Sequence, residues 1–299
     1  MTTYEIDDKE WAKLKGKTVV IVGSATGIGR AAVEMAHKHG ANVAMGDYNE
    51  VEGQKLANEL KDRIVFCKCN VTSFPSVMTL FQTATATFGP IHAVLSNAGI
   101  SAEPNFLEDH FDNAGNLLPP DCSQLDVNLV GMFHVVKAAV HFFRKRADAA
   151  EPRQLVLTAS AASYFPAPPL YLYSAAKAGL VGLLRALWPQ LELENISVNL
   201  VAPWMTKTPM VPQSLYDIWV GMPANEPWGV ARALLLPVLR PELTGKGWFI
   251  AGHRIVDFED SLHKTEPAWM GERLAAEVEE GQRRMLPKKG DVKSAWDFK

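Results

Sequence analysis

The stretch YLYSAAK, residues 171–177, sets two phenols ahead of one ammonium group. A phenol beside a cation can work as a general acid/base, because the positive charge favours the phenolate and lowers a pKa that stands at about 10 in water. Helical spacing selects between the two. Tyr173 and Lys177 are four residues apart and share a face, whereas Tyr171 lies six residues from the lysine and points elsewhere. Tyr171 reads instead as a pocket-wall or core aromatic. Ser160 stands 13 residues ahead of Tyr173 at the end of an apolar run, where its hydroxyl can orient a reacting oxygen. Removing a hydroxyl proton while a hydride leaves the same carbon needs such a base, tuned toward the working pH and set beside a hydride carrier.

A site for that carrier is legible near the other end of the chain. In GSATGIGRAA the glycines Gly23, Gly27 and Gly29 follow the pattern G-x3-G-x-G. Glycine lets a backbone turn sharply and approach a pyrophosphate, and the helix that follows offers free N–H groups and a positive dipole end. Asp47 ends the next apolar run, 18 residues past Gly29, where a carboxylate can accept hydrogen bonds from an adenosine ribose. The same carboxylate repels a 2′-phosphate, and no arginine neighbours it in sequence, so NAD rather than NADP is the expected cofactor. Asn70 is placed near the adenine. SNAG, residues 96–99, ends a further strand with the same backbone freedom.

These groups need a scaffold, and the chain supplies alternating strands and helices. TVVIVG (18–23) is a short β-branched run ended by glycine, which reads as a buried parallel strand. A helical pattern from Ile28 to His39 stops at Gly40, and NVAMGD (42–47) is the next strand. A helix at 50–61, a strand at 64–69, a helix at about 73–88 and a strand at 91–99 follow. An irregular stretch (101–120) leads into a helix over 122–146 that carries Asn128. A strand at 154–160, a helix at 172–193 and a strand at 196–203 continue the alternation, and GWFIAG (247–252) is the last strand expected. The expected fold is α/β, a Rossmann-like doubly wound parallel sheet in one domain, 16–252. Residues 1–15 and 253–299 are extensions on this reading.

Bulk properties fit an ordinary soluble globular protein. Of 299 residues, 47% are apolar and 21% charged, and the net charge of −3 gives no footprint for nucleic acid or an acidic membrane. No uncharged apolar run reaches membrane-spanning length, and the charged N-terminus has no apolar signal core. The three cysteines, Cys67, Cys69 and Cys122, are an odd number that suits a reducing compartment, so the cytoplasm is the expected location. Cys67 and Cys69 lack metal-ligand spacing and read as strand packing, so no metal is expected. His37 and His39 lie at a helix C-terminus, where histidine is electrostatically favoured, and read as structural.

Glycines in G-x3-G-x-G, then Asn97-Ala98-Gly99, Asn128, Ser160 and Tyr173-x3-Lys177, in that order, resemble the short-chain dehydrogenase/reductase family over about residues 16–252. The resemblance implies that Tyr173 is the general acid/base and that Ser160 holds the substrate oxygen. It further implies that Lys177 binds the nicotinamide ribose and lowers the tyrosine pKa, while Asn128 sustains a water-linked proton relay. The expected cofactor contacts are Gly23, Thr26, Gly27, Ile28, Gly29, Asp47, Asn70, Val71, Asn97, Ala98, Gly99, Tyr173, Lys177, Pro203 and Thr208. GKTVVIVGSATGIGR, GDYNE and TGKGWFIAG look most similar to the NAD-dependent branch related to hydroxyprostaglandin dehydrogenase and to members in fungal secondary metabolism. Three positions depart from the family: Val22 replaces its threonine, Asn70 its aspartate, and Trp204 the glycine of its Pro-Gly pair. The last puts an indole near the nicotinamide end, so substrate shape rather than hydride chemistry should differ.

Trp204, Met205, Met210, Trp219, Met222 and Trp228 populate the connection 204–228 and could form an apolar lid, or pack under a long loop. Ser160, Tyr171, Trp204, Met210 and Trp219 are the expected substrate contacts. In the tail, PAWMGERLAAEVEEGQRRM sets Trp269, Met270, Leu274, Ala275 and Val278 at helical spacing. That single helix is expected to pack over 204–228 or on a neighbouring subunit. The whole reads as an NAD-dependent enzyme interconverting a secondary alcohol and a ketone on a fairly large apolar molecule. Other readings keep the fold: an isomerase or cyclase using the same acid/base pair, or a non-enzymatic dinucleotide sensor. The resemblance implies a homodimer or homotetramer paired through the two long helices.

Overall fold

A computed structural model of the chain describes residues 2–102, 105–145, 148, 150–286 and 288. Nine strands form one sheet: β1 (Thr3–Tyr4), β2 (Thr18–Val22), β3 (Asn42–Asp47), β4 (Ile64–Lys68), β5 (Ala93–Ser96), β6 (Arg153–Thr158), β7 (Ile196–Pro203), β8 (Gly247–Ala251) and β9 (Arg254–Asp257). Their order is β1-β9-β8-β7-β6-β5-β2-β3-β4. Strands β2 to β8 all pair in parallel, with Val19 beside Val43 on one flank and Ala93 on the other. All five residues of β2 are buried, as the unbroken TVVIV run requires of a strand covered on both faces.

Helices cover both faces. Helices α1 (Gly27–Lys38) and α2 (Glu50–Leu60) lie on one side, and α3 (Phe74–Phe88) on the other. The expected helix over 122–146 is divided: α4 (Ser123–Leu125), a π-helical turn over Asp126–Val130, then α5 (Gly131–Arg144). Residue 146 lies outside the described residues. The stretch Ser123–Arg144 is long and apolar enough to cross a membrane by length and composition, yet Met132, Val135, Ala139 and Phe143 sit in the core. Helix α6 (Tyr171–Glu192) packs with α3 and α5. A short α7 (Gln213–Ile218) precedes α8 (Pro227–Leu239), which joins α1 and α2 on the other face. The tail holds α9 (Glu259–Lys264), α10 (Glu266–Met270) and α11 (Glu272–Met285).

Three expectations change at the chain ends. The first 15 residues are part of the sheet and core: Thr3 pairs with Val256, Trp11 and Leu14 are buried, and Arg240 clamps Glu10 with both contacts at 2.9 Å. The boundary placed at 252 falls inside a tight turn, where Gly252 and His253 both take positive φ and return the chain as β9. The tail therefore leaves from the opposite edge of the sheet, not from the ligand edge. It docks on α6 through an ion pair of Arg185 with buried Glu259, and just ahead of β8 through Lys246 and Asp260 at 2.6 Å. Gly271, at φ +84°, splits the expected helix in two. Ala275 is buried, but Trp269 and Leu274 stay 68% and 51% exposed. No described hydrogen bond or ion pair of α9 to α11 reaches 204–228. The stripe was read from spacing, but the turn at Gly252–His253 decides where it lands.

Candidate active site

The chain reverses its direction of travel across the sheet between β2 and β5, so their carboxyl ends diverge and leave a crevice there. Gly23 ends β2 in this crevice with φ +78°, and a Cβ on it would lie 2.5 Å from Ala98 Cα. Gly29, in the first turn of α1, approaches even more closely, since a Cβ there would stand 1.8 Å from the Gly23 carbonyl oxygen. Asn97 Nδ2 donates to that oxygen at 2.9 Å and ties the two strand ends together. Gly27 takes φ +55° and faces Thr208, whose methyl would touch a Cβ at 3.1 Å. The connection after β7 is thereby drawn over the glycine turn.

The start of α1 fits a pyrophosphate. Thr26 stands at its N-cap, followed by Gly27 and Ile28, yet Thr26 makes no side-chain cap bond and the first turn has no acidic residue. The exposed positive end of the helix is left for an anion. Asp47 closes the other side: its Oδ2 accepts the Ala25 N–H and its Oδ1 the Asn49 N–H, each at 2.8 Å. Lys68, which registers against Asp47, is engaged by Glu50 at 3.0 Å. Asn70 turns inward on its own loop, where its Oδ1 accepts from the Thr72 amide and hydroxyl. Val71 is buried against Gly131.

Ser160 follows β6, and its Oγ accepts the Ala162 N–H at 3.2 Å. The Ser160 hydroxyl also bonds the Tyr173 phenol and favours its ionised form. Lys177 lies one turn along α6, with Nζ 5.7 Å from the centre of the Tyr173 ring. The ammonium is buried and donates to the Thr158 carbonyl at 2.9 Å. Burial depresses its pKa from 10.5 to about 8. The expected depression of the Tyr173 pKa is not found in the protein alone. Burial raises it, and the Ser160 bond offsets this only in part. Tyr171 diverges as its spacing requires and sets its ring 6.0 Å from that of Phe106.

Asn128 sits in the π-helical turn and is fully buried. Its Oδ1 accepts the Ile100 N–H at 2.8 Å, while Nδ2 donates to the Ile100 carbonyl and to Gln124 Oε1, both at 2.7 Å. The amide thus acts as a strand partner for the chain just beyond Gly99. A Cβ on Gly99 would stand 3.1 Å from Asn128 Oδ1 and 3.3 Å from Lys177 Nζ, so the three residues meet. Gln124, which sequence reasoning missed, extends this support by donating to the Ala102 carbonyl at 2.7 Å. Its spacing of four from Asn128 was the only available signal.

The connection 204–228 is pinned at its base, where Thr206 bridges buried Asn225, and Tyr216 Oη donates to the Thr208 carbonyl at 3.0 Å. The Trp204 ring stands 6.5 Å from that of Phe249. Met210 is exposed and its carbonyl accepts from Ser101, while Trp219 ends α7 half-buried. Trp228 does not belong to a lid. Its ring meets that of His253 at 4.3 Å with the planes tilted by 31° and faces Arg232, on the side of the sheet covered by α1 and α8. The two helix-terminal histidines are structural: His37 Nε2 bonds the Asp62 carbonyl at 2.8 Å, and His39 stacks on Trp11.

A protein-family model described as short chain dehydrogenase matches residues 17–217. Among curated proteins the chain is 31% identical over 293 residues to Short-chain dehydrogenase/reductase prx4 of Penicillium rubens, covering 91% of this chain and 86% of that one. It is 32% identical to 5′-hydroxyaverantin dehydrogenase of Dothistroma septosporum, over 67% of this chain and 70% of the other. It is also 32% identical to borneol dehydrogenase of Lavandula x intermedia, over 70% and 75%. Among solved structures, 3-ketoacyl-(acyl-carrier-protein) reductase from Brucella melitensis complexed with NADH superposes with a TM-score of 0.70 at 23% identity, over 80% of this chain and 98% of that one.

Proposed function

Because the chain belongs to the short-chain dehydrogenase/reductase family, we propose that it is an NAD(H)-dependent oxidoreductase interconverting a secondary alcohol and a ketone on a fairly large apolar molecule. The observation that carries this reading is the Tyr173 phenol, hydrogen-bonded by Ser160 and one helical turn from buried Lys177. In the oxidative direction Tyr173 Oη takes the proton of the substrate hydroxyl, and in the reductive direction it returns one to the carbonyl oxygen. Ser160 holds that oxygen in line. Lys177 keeps a positive charge on the same face of α6, and Asn128 fixes the 99–102 segment against which the reacting groups lie. Gly23, Gly27, Gly29 and the open start of α1 would hold the dinucleotide, which supplies or accepts the hydride when bound.

The fixed Asp47 carboxylate supports NAD over NADP, since its two backbone donors hold a negative charge at the end of β3. Relatives whose names record a hydroxylated compound, 5′-hydroxyaverantin and borneol, support an alcohol as substrate. The surface groove between α5 and α6, lined by Phe133, Val136, Val140, Leu183 and Leu187, supports pairing of two copies through those helices. Titration with both dinucleotides, followed by nicotinamide absorbance against a panel of secondary alcohols and ketones, tests the reading. Absence of any absorbance change across the panel, with the dinucleotide bound, would refute it.

A further inference from the structure

Five aromatic rings lie on β8 and on the segments that follow β5, β6 and β7, with Phe165 in the loop after Ser160 and Tyr171 on the same helix turn as Tyr173. Phe165 meets Phe249 edge to face, with ring centres 5.7 Å apart and planes at 67°, and Trp204 leans on the same Phe249 at 45°. Phe106 and Tyr171 form a second tilted pair, at 40°. Each pair joins the connection after β6, which carries Ser160, to a neighbouring part of the sheet. Phe106 belongs to the connection after β5, Trp204 follows β7 and Phe249 lies on β8, while Ser160 ends β6 between them. No charged side chain is among the five. Phe165 and Phe106 are 49% and 45% exposed, so large apolar area stands open beside a polar pair.

The local chain directs Phe165 outward. Its neighbour Tyr164 turns inward and packs edge-on against Phe258 at 3.9 Å, which fixes the loop after Ser160 and leaves the next side chain facing away from the core. The rings of the first array are mutually inclined, so a flat π-system placed on them meets one face and one edge. Aromatic quadrupoles favour that arrangement. An aliphatic ring of equal size gains the area but not the quadrupole contact. Met210 and Trp219, expected from the sequence to line the substrate, make no described ring contact with either array.

Resting on the proposed redox reading, the geometry points to a substrate whose reacting carbon carries a fused or extended aromatic system, with Phe165 and Phe249 selecting it. The test uses the full chain loaded with NAD and two ketones of matched skeleton, 2-acetonaphthone and its ring-saturated decalin counterpart. Calorimetric titration should give the aryl ketone about tenfold tighter binding, the ratio expected from one or two ring contacts. Phe165→Leu and Phe249→Leu keep an apolar side chain and remove the ring, so each should reduce that ratio at least about threefold while the dinucleotide dissociation constant stays unchanged. A wild-type ratio near one, failure of both ketones to bind at millimolar concentration, or a ratio unmoved in both variants would overturn the assignment. The readout is binding, so the two readings separate. An aryl preference in binding, with no loss of nicotinamide absorbance when NADH replaces NAD, would retain the ring site and remove the redox reading. Turnover of both ketones with NADH, without preference, would do the reverse.

Discussion

Gly29 stands so close to Gly23 that a Cβ at position 29 would lie 1.8 Å from the Gly23 carbonyl oxygen and 2.9 Å from Asn97 Nδ2. The obstacle is backbone, which cannot swing aside as a side chain could. Gly29→Ala should therefore force α1 away from β2, at a cost of about 1–3 kcal/mol as for other overpacked sites. Dinucleotide affinity should fall at least about tenfold, which displacement of the helix start from the phosphates by a fraction of its contact energy already produces. Gly182, inside α6 with nothing within 4 Å of its would-be Cβ, is the control. Gly182→Ala should leave binding intact and raise stability by about 0.5–1 kcal/mol. Thermal unfolding and dinucleotide titration of both variants check the contrast.

The two tyrosines should separate in kinetics. Tyr173→Phe removes the transferable proton and should lose nearly all turnover while still binding the dinucleotide. Tyr171→Phe keeps the ring against Phe106 and should stay within about tenfold of wild type, roughly 1.4 kcal/mol of barrier. The reverse pattern in steady-state assays would assign the chemistry to the wrong phenol.

Lys177 makes a prediction about pH. Its pKa is lowered from 10.5 to about 8 by burial, so between those values the folded protein binds fewer protons than the unfolded chain. Stability contributed by this group therefore rises with pH across that window, and the penalty is fully present below about pH 8. The penalty is on the order of 3 kcal/mol, less what the Thr158 hydrogen bond returns. In dinucleotide-free protein, Lys177→Met should melt higher than wild type at pH 6–7, a gap that narrows toward about pH 10. A constant gap across that range in thermal scans would contradict the burial argument.

The tail is held by charge at two points, and at one of them the carboxylate is buried. Glu259 is 2% exposed and pairs with Arg185, which is itself half exposed. Arg185→Met should cost about 3 kcal/mol, the low end for a broken buried pair, because His263 remains 3.8 Å from the carboxylate. Adding Glu259→Gln to that variant should restore most of the loss, since no buried charge is left behind. Urea midpoints of the single and double variants measure the difference.

The layout of the sheet and the chemistry-bearing residues were readable because both are written in short-range spacing. TVVIVG and NVAMGD are continuous apolar runs, Tyr173 and Lys177 are one helical turn apart, and the glycines are separated by fixed small steps. What was not readable depends on residues far apart in the chain. Nothing local in Thr3–Tyr4 announces a partner at Ile255–Val256. The π-helical turn at 126–130 is invisible to a 3.6-residue period, although it is what brings the Asn128 amide onto Ile100. The ionisation of Tyr173 depends on how deeply the fold buries it, and sequence spacing fixes the face shared with Lys177 but not that burial, nor the Thr158 carbonyl that captures the ammonium.

The pairing of β1 with β9 joins residues 3–4 to residues 255–256, nearly the full length of the chain apart. During vectorial synthesis β1 thus leaves the ribosome long before its only described strand partner, β9. Until the two pair, the outer edge of β9 presents unpaired N–H and C=O groups, the feature by which nascent sheets recruit foreign strands. The two-residue β1 acts as a late clasp on that edge. A fusion partner placed directly ahead of Thr3 would load this clasp, whereas one appended beyond α11 would leave it free to close.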